Sequence, residues 1–266
     1  MKKPALLLIA LTALCVTLPA NLRAESLDEI RKRGTLRVGM EPGYMPFELT
    51  NQKGEIIGFD VDMAKRMAKK LGVKLELVST AWDGIIPSLL TGKFDIIMSG
   101  MTITAERAKA IDFADPYIVV GQTVLLRKDL AATVKSYKDL NDPKYKIASK
   151  LGTTGDIATK EKIPKATYFS FETEQEGVME VVNGKIDAFI YDSPYNAVAF
   201  AEKGQGKLVF LDQPFTDEPL GWAVRKGNPE FLAWLNAFLK ETKSDGTYDK
   251  IYAKWFKDDS WLKELK

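Results

Sequence analysis

The chain has 266 residues, 45% of them hydrophobic, with 38 basic against 36 acidic side chains. That is apolar material for a substantial core in one or two domains, and it excludes an intrinsically disordered chain. There is no histidine and one cysteine, which excludes Ser-His-Asp and Cys-His triads, His-ligated zinc and a disulfide framework.

The elements begin with a leader. "MKKPALLLIALTALCVTLPANLRAES" opens on Lys2 and Lys3, runs apolar from Ala5 to about Leu18, breaks at Pro19 and reaches Ala24. That order describes a secretory signal peptide, residues 1–24, cut after Ala24. The apolar run is well short of the roughly 20 residues a membrane span needs. Cys15 would leave with it, and Leu14 before that cysteine does not suit a lipid anchor. Lys2, Lys3 and Arg23 would leave too, so 38 basic residues become 35 against 36 acidic. A near-neutral exported protein has no basic footprint for nucleic acid.

"TLRVGM" (35–40) reads as a strand. "GFDVDMAKRMAKKLG" (58–72) spaces Phe59, Met63, Met67 and Leu71 as one helix face and stops at Gly72. "VKLELVS" (73–79) alternates as a strand, "WDGIIPSLLTG" (82–92) is a short helix, and "FDIIMSG" (94–100) is a buried strand. "TAERAKAI" (104–111) predicts a helix with a Thr cap and an acid in its first turn. The second half repeats the alternation. Strands are expected at 145–150, 166–171, 186–192 and 207–211, and helices at 153–163, 174–184 and 193–204. Strand alternating with helix is the pattern of a parallel α/β sheet. Residues 115–128 and 217–228 read as two long strands crossing between the halves. Residues after 228 give two helices split at "SDG".

One phrase occurs twice: "TGKFDIIMSG" (91–100) and "NGKIDAFIYD" (183–192). Each is a glycine-ended helix turning into a core strand, at the same place in two similar units. Junctions of this kind recur in many α/β proteins, but here they give two lobes of related architecture. In open α/β sheets ligands bind beyond the carboxyl ends of the strands. The phrases would therefore bring Ser99 to Thr102 and Tyr191-Asp192 to one cleft.

With those stretches read, the chain resembles the periplasmic amino-acid-binding proteins of ATP-binding-cassette importers, solute-binding protein family 3. The resemblance rests on "GTLRVGMEPGYMPFE", "GEIIGFDVDMAKRMAKKLG", "WDGIIPSLLTGKFDIIMSGMTITAERAKAIDFADPY", "LGTTGD", "IDAFIYDSPYNAVAF", "AVRKGNPEFLAWLNAFL" and "DGTYDKIYAKWF". It implies the two-lobed type II fold of periplasmic binding proteins, closing over one amino acid about a two-strand hinge. Lobe 1 would be 25–117 plus 218–266 and lobe 2 121–214, with hinges at about 117–121 and 214–218.

The resemblance implies these roles. Arg107 takes the ligand carboxylate with Thr102 and Thr153 or Thr154, since a carboxylate suits a guanidinium fork plus neutral donors. Taken alone, Arg107 reads as a solvated helix arginine. Asp192 takes the ammonium, helped by Gly100 O and Thr102, with Met101 in the same stretch; alone, Asp192 reads as a helix cap. Tyr44, Phe47 and Trp82 stand where rings sandwich the side chain, although aromatics are core by default. Glu41 falls where an acid meets the side chain's far end, and Lys150 where it faces that acid. A self-neutralising Glu41–Lys150 pair suits a neutral polar side chain such as glutamine; Glu41 unpaired would suit a basic one.

"LGTTGD" lacks the Gly-Lys-Ser/Thr ending of a phosphate loop. Trp234, Phe238, Trp255 and Phe256 read as core of the first lobe. The expectation is a monomeric transport receptor in the periplasm, handing an amino acid to a membrane permease, with no cofactor and no chemistry. Two alternatives remain. One is a cyclohexadienyl dehydratase on the same fold, with Glu41 or Asp83 as its acid. The other is a soluble sensory partner of a membrane receptor.

Overall fold

The structure is a computed structural model describing residues 25–265. The expected leader lies outside the described residues.

In chain order the strands are β1 Thr35–Met40, β2 Leu49–Thr50, β3 Ile56–Ile57, β4 Lys74–Ser79, β5 Ile96–Ile97, β6 Ile111–Phe113, β7 Ile118–Val120, β8 Gln122–Arg127, β9 Lys146–Lys150, β10 Thr167–Phe171, β11 Ala188–Asp192, β12 Leu208–Leu211, β13 Glu218–Leu220 and β14 Ala223–Arg225. The helices are α1 Leu27–Arg33, α2 Phe59–Leu71, α3 Trp82–Leu90, α4 Thr154–Lys162, α5 Glu174–Val182, α6 Ser193–Lys203, α7 Pro229–Ser244 and α8 Thr247–Tyr252. One sheet has the order β4-β1-β5-β14-β6 and the other β10-β9-β11-β8-β12. Between them β7 pairs with β13, antiparallel. This is the two-lobed α/β architecture on a two-strand connection.

Local chemistry explains the regular elements. In α2, Asp60 and Asp62 lie in the first turn and Lys69 and Lys70 in the last, each suiting the helix dipole, and Gly72 closes the helix at φ 72°. Its buried face carries Phe59, Met63, Met67 and Leu71. Beyond it, Trp222, Tyr117 and Phe238 form the aromatic centre of the first lobe, with Tyr117–Trp222 stacked at 5.2 Å. Trp255 is buried, and Trp234 and Phe256 pack against the same core.

The repeated phrase has a structural meaning. Gly92 and Gly184 both take left-handed φ, 77° and 74°. Three residues on, Asp95 clips β1: its N–H donates to Arg37 O (2.9 Å) and its Oδ2 accepts Arg37 N–H (2.8 Å). Asp187 does the same to β9, giving an N–H to Lys146 O (2.8 Å) and accepting Lys146 N–H (2.8 Å). The shared Gly-Lys-x-Asp is a strand-docking device used once per lobe.

Three expectations change. The sheets are mixed, because β14 runs antiparallel to β5 and β6, and β8 antiparallel to β11 and β12. The helix expected at 104–111 is one 3₁₀ turn, Arg107–Lys109. Its N-cap is Glu106, which makes no side-chain cap; Thr104 Oγ1 accepts Arg107 N–H at 3.1 Å just ahead of it, and Ile111–Phe113 is drawn into the sheet by β14. The two long crossing strands are each broken, at Gly121 and at Gly221-Trp222.

Candidate functional site

The stretch after β5 builds one wall. Thr102 bridges to Leu220 of β13. The 3₁₀ turn swings Arg107 back so that its Nη1 donates to Thr102 O (2.9 Å), with its guanidinium carbon 5.1 Å from the centre of the Trp82 ring. Burial pushes the Arg107 guanidinium below its usual value, opposed by the carboxylates of Glu218 and Asp192; from so high a start it stays a cation.

The other wall comes from α4. Thr153 is its N-cap, accepting Asp156 N–H (3.4 Å) and donating to Lys150 O (2.8 Å). Thr154, the first helical residue, sits 3.3 Å from Thr102 Oγ1 and donates to Glu218 Oε2 (2.5 Å). Trp82, at the start of α3, donates its indole N–H to Gly152 O across the cleft (3.1 Å).

Asp192 ends β11 and is 5% exposed. It occupies the N-cap position of α6 but makes no capping hydrogen bond. Instead it accepts from Tyr44 Oη of the first lobe and from Gln122 Nε2. Burial, and the charge of Glu218 nearby, push its carboxyl up to about 7. Gly100 lies beneath Tyr44. Its φ is +52°, and a Cβ there would fall inside the Tyr44 ring, so only glycine lets the two approach.

Of the aromatics, Tyr44 and Trp82 border the cleft. Phe47 is fully buried behind Tyr44, 4.7 Å between ring centres, and packs on Phe59, Tyr117 and Phe256. The Met101 side chain is likewise core, with Ile85, Leu89 and Phe94.

Glu41 and Lys150 do meet, as an ion pair across the lobes. A third group joins them: Glu174, the first residue of α5, accepts from Lys150 Nζ at 3.0 Å and from Tyr191 Oη at 2.8 Å. The side chains of Lys150 and Glu174 are each only 2% exposed. Burial raises the Glu41 carboxyl above its usual value, against the pull of Lys150. A cleft of about 300 Å³ opens beside Glu41, Gly43, Thr80, Thr173 and Glu174.

Sequence reasoning missed Glu174, Gln122, Glu218, Asp60 and Glu48. Glu174 hides beside a Thr173–Glu176 capping box, where an acid needs no other explanation. Asp60 reads as a first-turn helix acid. In the structure it is fully buried and accepts from Gly100 N (3.1 Å), Tyr117 Oη (2.9 Å) and Trp222 Nε1 (3.3 Å). Burial outweighs those donors and lifts it to about 6. Glu48 accepts from Ser99 Oγ (2.6 Å), and burial holds its carboxyl well above the usual range. Among the described residues no cluster of three metal-ligating side chains occurs.

The arrangement offers a guanidinium and helix-start amides at one end, a buried carboxylate at the other, and an acid-rich chamber beyond. The chain matches the bacterial extracellular solute-binding proteins, family 3, over residues 36–258. It is 36% identical over 242 residues to the ABC transporter glutamine-binding protein GlnH of Bacillus subtilis, covering 89% of this chain and 86% of that one. Among solved structures it is similar to a binding component of an ABC transporter from Wolinella succinogenes complexed with lysine. That match has 55% identity and a TM-score of 0.85, and covers 87% of this chain and 99% of the other. It is also similar to the ancestral amino-acid-binding protein AncCDT-1, a precursor of cyclohexadienyl dehydratase, at 56% identity and a TM-score of 0.82, covering 86% and 99%.

Proposed function

The chain belongs to family 3 of the bacterial extracellular solute-binding proteins, and we propose that it captures a basic amino acid between its lobes for an ABC-type permease. As an amino-acid-binding protein of such a transporter it has to recognise a zwitterion. Arg107 and the backbone N–H groups of Thr102 and of the start of α4 take the carboxylate, since the Thr102 and Thr154 hydroxyls donate to Glu218; Asp192 and Gly100 O take the ammonium; Tyr44 and Trp82 flank the side chain, and Phe47 backs Tyr44. Lobe 1 (25–117 plus 218–266) and lobe 2 (121–214) turn about 117–121 and 214–218.

The observation that carries the ligand class is Lys150 held between Glu41 and Glu174. With all three charged, the chamber keeps one net negative charge, which a cationic side chain offsets and a neutral one leaves buried. The sequence pairs Glu41 with Lys150 alone, which suits glutamine; the third charge moves the preference to lysine or arginine. The lysine complex of the Wolinella relative supports this. A neutral polar ligand is the second reading, favoured by the glutamine-binding relative: Lys150 can donate to an amide oxygen while Glu41 accepts its N–H.

Binding needs no chemistry. The relatives carry binding names, and Asp83, one candidate acid for a dehydratase, stands exposed on α3. The monomer is exported to the periplasm after losing residues 1–24. A thermal-shift screen of refolded mature protein against the twenty amino acids, prephenate and arogenate tests the reading. Lysine or arginine should give the largest shift, since ligand in excess of its dissociation constant stabilises by a few kcal/mol. A larger shift with glutamine selects the second reading. Turnover of prephenate or arogenate overturns both.

A further inference from the structure

Glu218 belongs to none of the ligand motifs, yet it sits where the lobes and their connection meet. It opens β13 and is 5% exposed. Its Oε1 accepts from Gln122 Nε2 (3.0 Å) and Thr216 Oγ1 (2.8 Å), and its Oε2 from Thr154 Oγ1 (2.5 Å) and Thr102 Oγ1 (3.1 Å). Thr102 rides on the first lobe. Thr154 and Gln122 ride on the second. Gln122 Nε2 also donates to Asp192, which accepts from Tyr44 of the first lobe. One chain of hydrogen bonds thus runs Tyr44–Asp192–Gln122–Glu218 and ends on Thr102 and Thr154.

We propose that Glu218 is a positioning residue for ligand binding: a hinge-strand carboxylate that ties Thr102 of one lobe to Thr154 of the other and so latches the closed form. The proposal rests on the amino-acid reading of the cleft. A buried carboxylate is costly unless its lone pairs are filled, and neutral donors from both lobes fill these. Turning the lobes apart separates Thr102 from Thr154, so the full set of bonds exists only on closure. Apparent affinity scales with the population of the binding-competent state, so a latch built into the hinge tightens binding without touching the ligand's side chain.

The latch also carries charge. Asp192 faces Tyr44 from the loop after β1, Arg107 from the 3₁₀ turn, Gln122 from β8, Tyr191 from its own strand and Glu218 from β13. Of these Glu218 is the like charge, and it shares the Gln122 amide with Asp192. The ligand ammonium would arrive beside both carboxylates. Glu218 therefore sets the pH at which Asp192 becomes an ammonium acceptor.

The test uses mature protein spin-labelled through Lys65→Cys and Glu161→Cys, exposed positions on α2 and α4. Cys15 is the only other cysteine in the sequence and leaves with the leader. Interlobe distances are measured without ligand and with L-lysine, L-arginine and L-glutamine as probes. Glu218→Ala should move the unliganded distribution to longer distances and weaken the tightest-binding probe by about tenfold or more. Glu218→Gln still offers one oxygen to the hydroxyls, so it should keep more of the short distances. It should also lower the pH midpoint of binding by about one unit, because the like charge beside Asp192 is gone. Wild-type distances together with affinity within about twofold in Glu218→Ala overturn the latch, as does an unmoved midpoint in Glu218→Gln. If Glu218→Ala does not fold, the midpoint decides. If the wild type binds none of the probes, the amino-acid reading falls, while the unliganded distances still judge the latch.

Discussion

In the proposed site Arg107 is the residue that takes the ligand carboxylate. Its half-buried guanidinium lies over the Trp82 ring and is tied to Thr102 O. Truncating one partner of a buried, hydrogen-bonded charge pair costs about 2–5 kcal/mol. Arg107→Ala should therefore weaken every amino acid by about 30-fold or more, as read by calorimetric titration, with little change in the free protein's unfolding midpoint. Glu174 belongs to a different job. Glu174→Gln leaves Lys150 with Glu41 alone, a neutral pair, so lysine and arginine should lose affinity relative to glutamine; competition between labelled lysine and glutamine reads the ranking. Asp192 brings pH dependence. Its carboxyl lies near 7 rather than 3.8, so the folded state holds a proton that the unfolded chain gives up earlier. For this group stability is fully present below pH 3.8 and is lost as pH rises to about 7. An ammonium needs the ionised form, so binding should release close to one proton at pH 6 and almost none at pH 8.5. Titration in two buffers of different ionisation enthalpy measures that release. A residue's neighbours across the cleft are not written in its own stretch. That is why the motifs single out Arg107 and Asp192 as candidates, while nothing in the stretches around Glu174 and Glu218 points to their partners across the cleft.

At the scale of elements, the repeated Gly-Lys-x-Asp gives the two lobes one construction rule: a left-handed glycine ends a helix, and an aspartate docks the next strand. Asp95→Asn should cost about 1–3 kcal/mol, since it weakens the bond to Arg37 N–H and the ion pairs to the half-exposed Arg33 and Arg37. Asp187→Asn should cost less, because the cation that pairs with it among the described residues, Arg127, also pairs with the exposed Asp129. Urea unfolding of both variants gives the comparison; an equal or reversed order contradicts the shared-clip account. Helices α2, α3 and α5 could be read in advance because their face spacing and stops are local. The 104–111 segment could not. Its Thr104–Arg107 hydrogen bond is local, but the pairing that takes Ile111–Phe113 into a strand comes from Ala223–Arg225, far along the chain. The breaks in the crossing strands arise in the same way, from packing between distant segments.

For the whole molecule, the lobes meet through Trp82 on Gly152, Tyr44 on Asp192, Glu41 on Lys150 and Thr102 beside Thr154. Each contact pairs one lobe with the other, so closure and ligand capture are one event, and a ligand favours closure by touching both sides. Asp60 extends this to the connection: one buried carboxylate holds Gly100 of the site, Tyr117 ahead of β7 and Trp222 after β13. The six charged groups named in the cleft are four carboxylates, Glu41, Glu174, Asp192 and Glu218, against Arg107 and Lys150. That balance is what supports the proposed preference for a basic amino acid. The most direct measurement is calorimetric titration of refolded mature protein at pH 7.5 with L-lysine, L-arginine and L-glutamine. The account expects lysine or arginine to bind at least about tenfold more tightly than glutamine, a preference of about 1.4 kcal/mol. Glutamine binding as tightly as either, or no heat with any of the three, would contradict it.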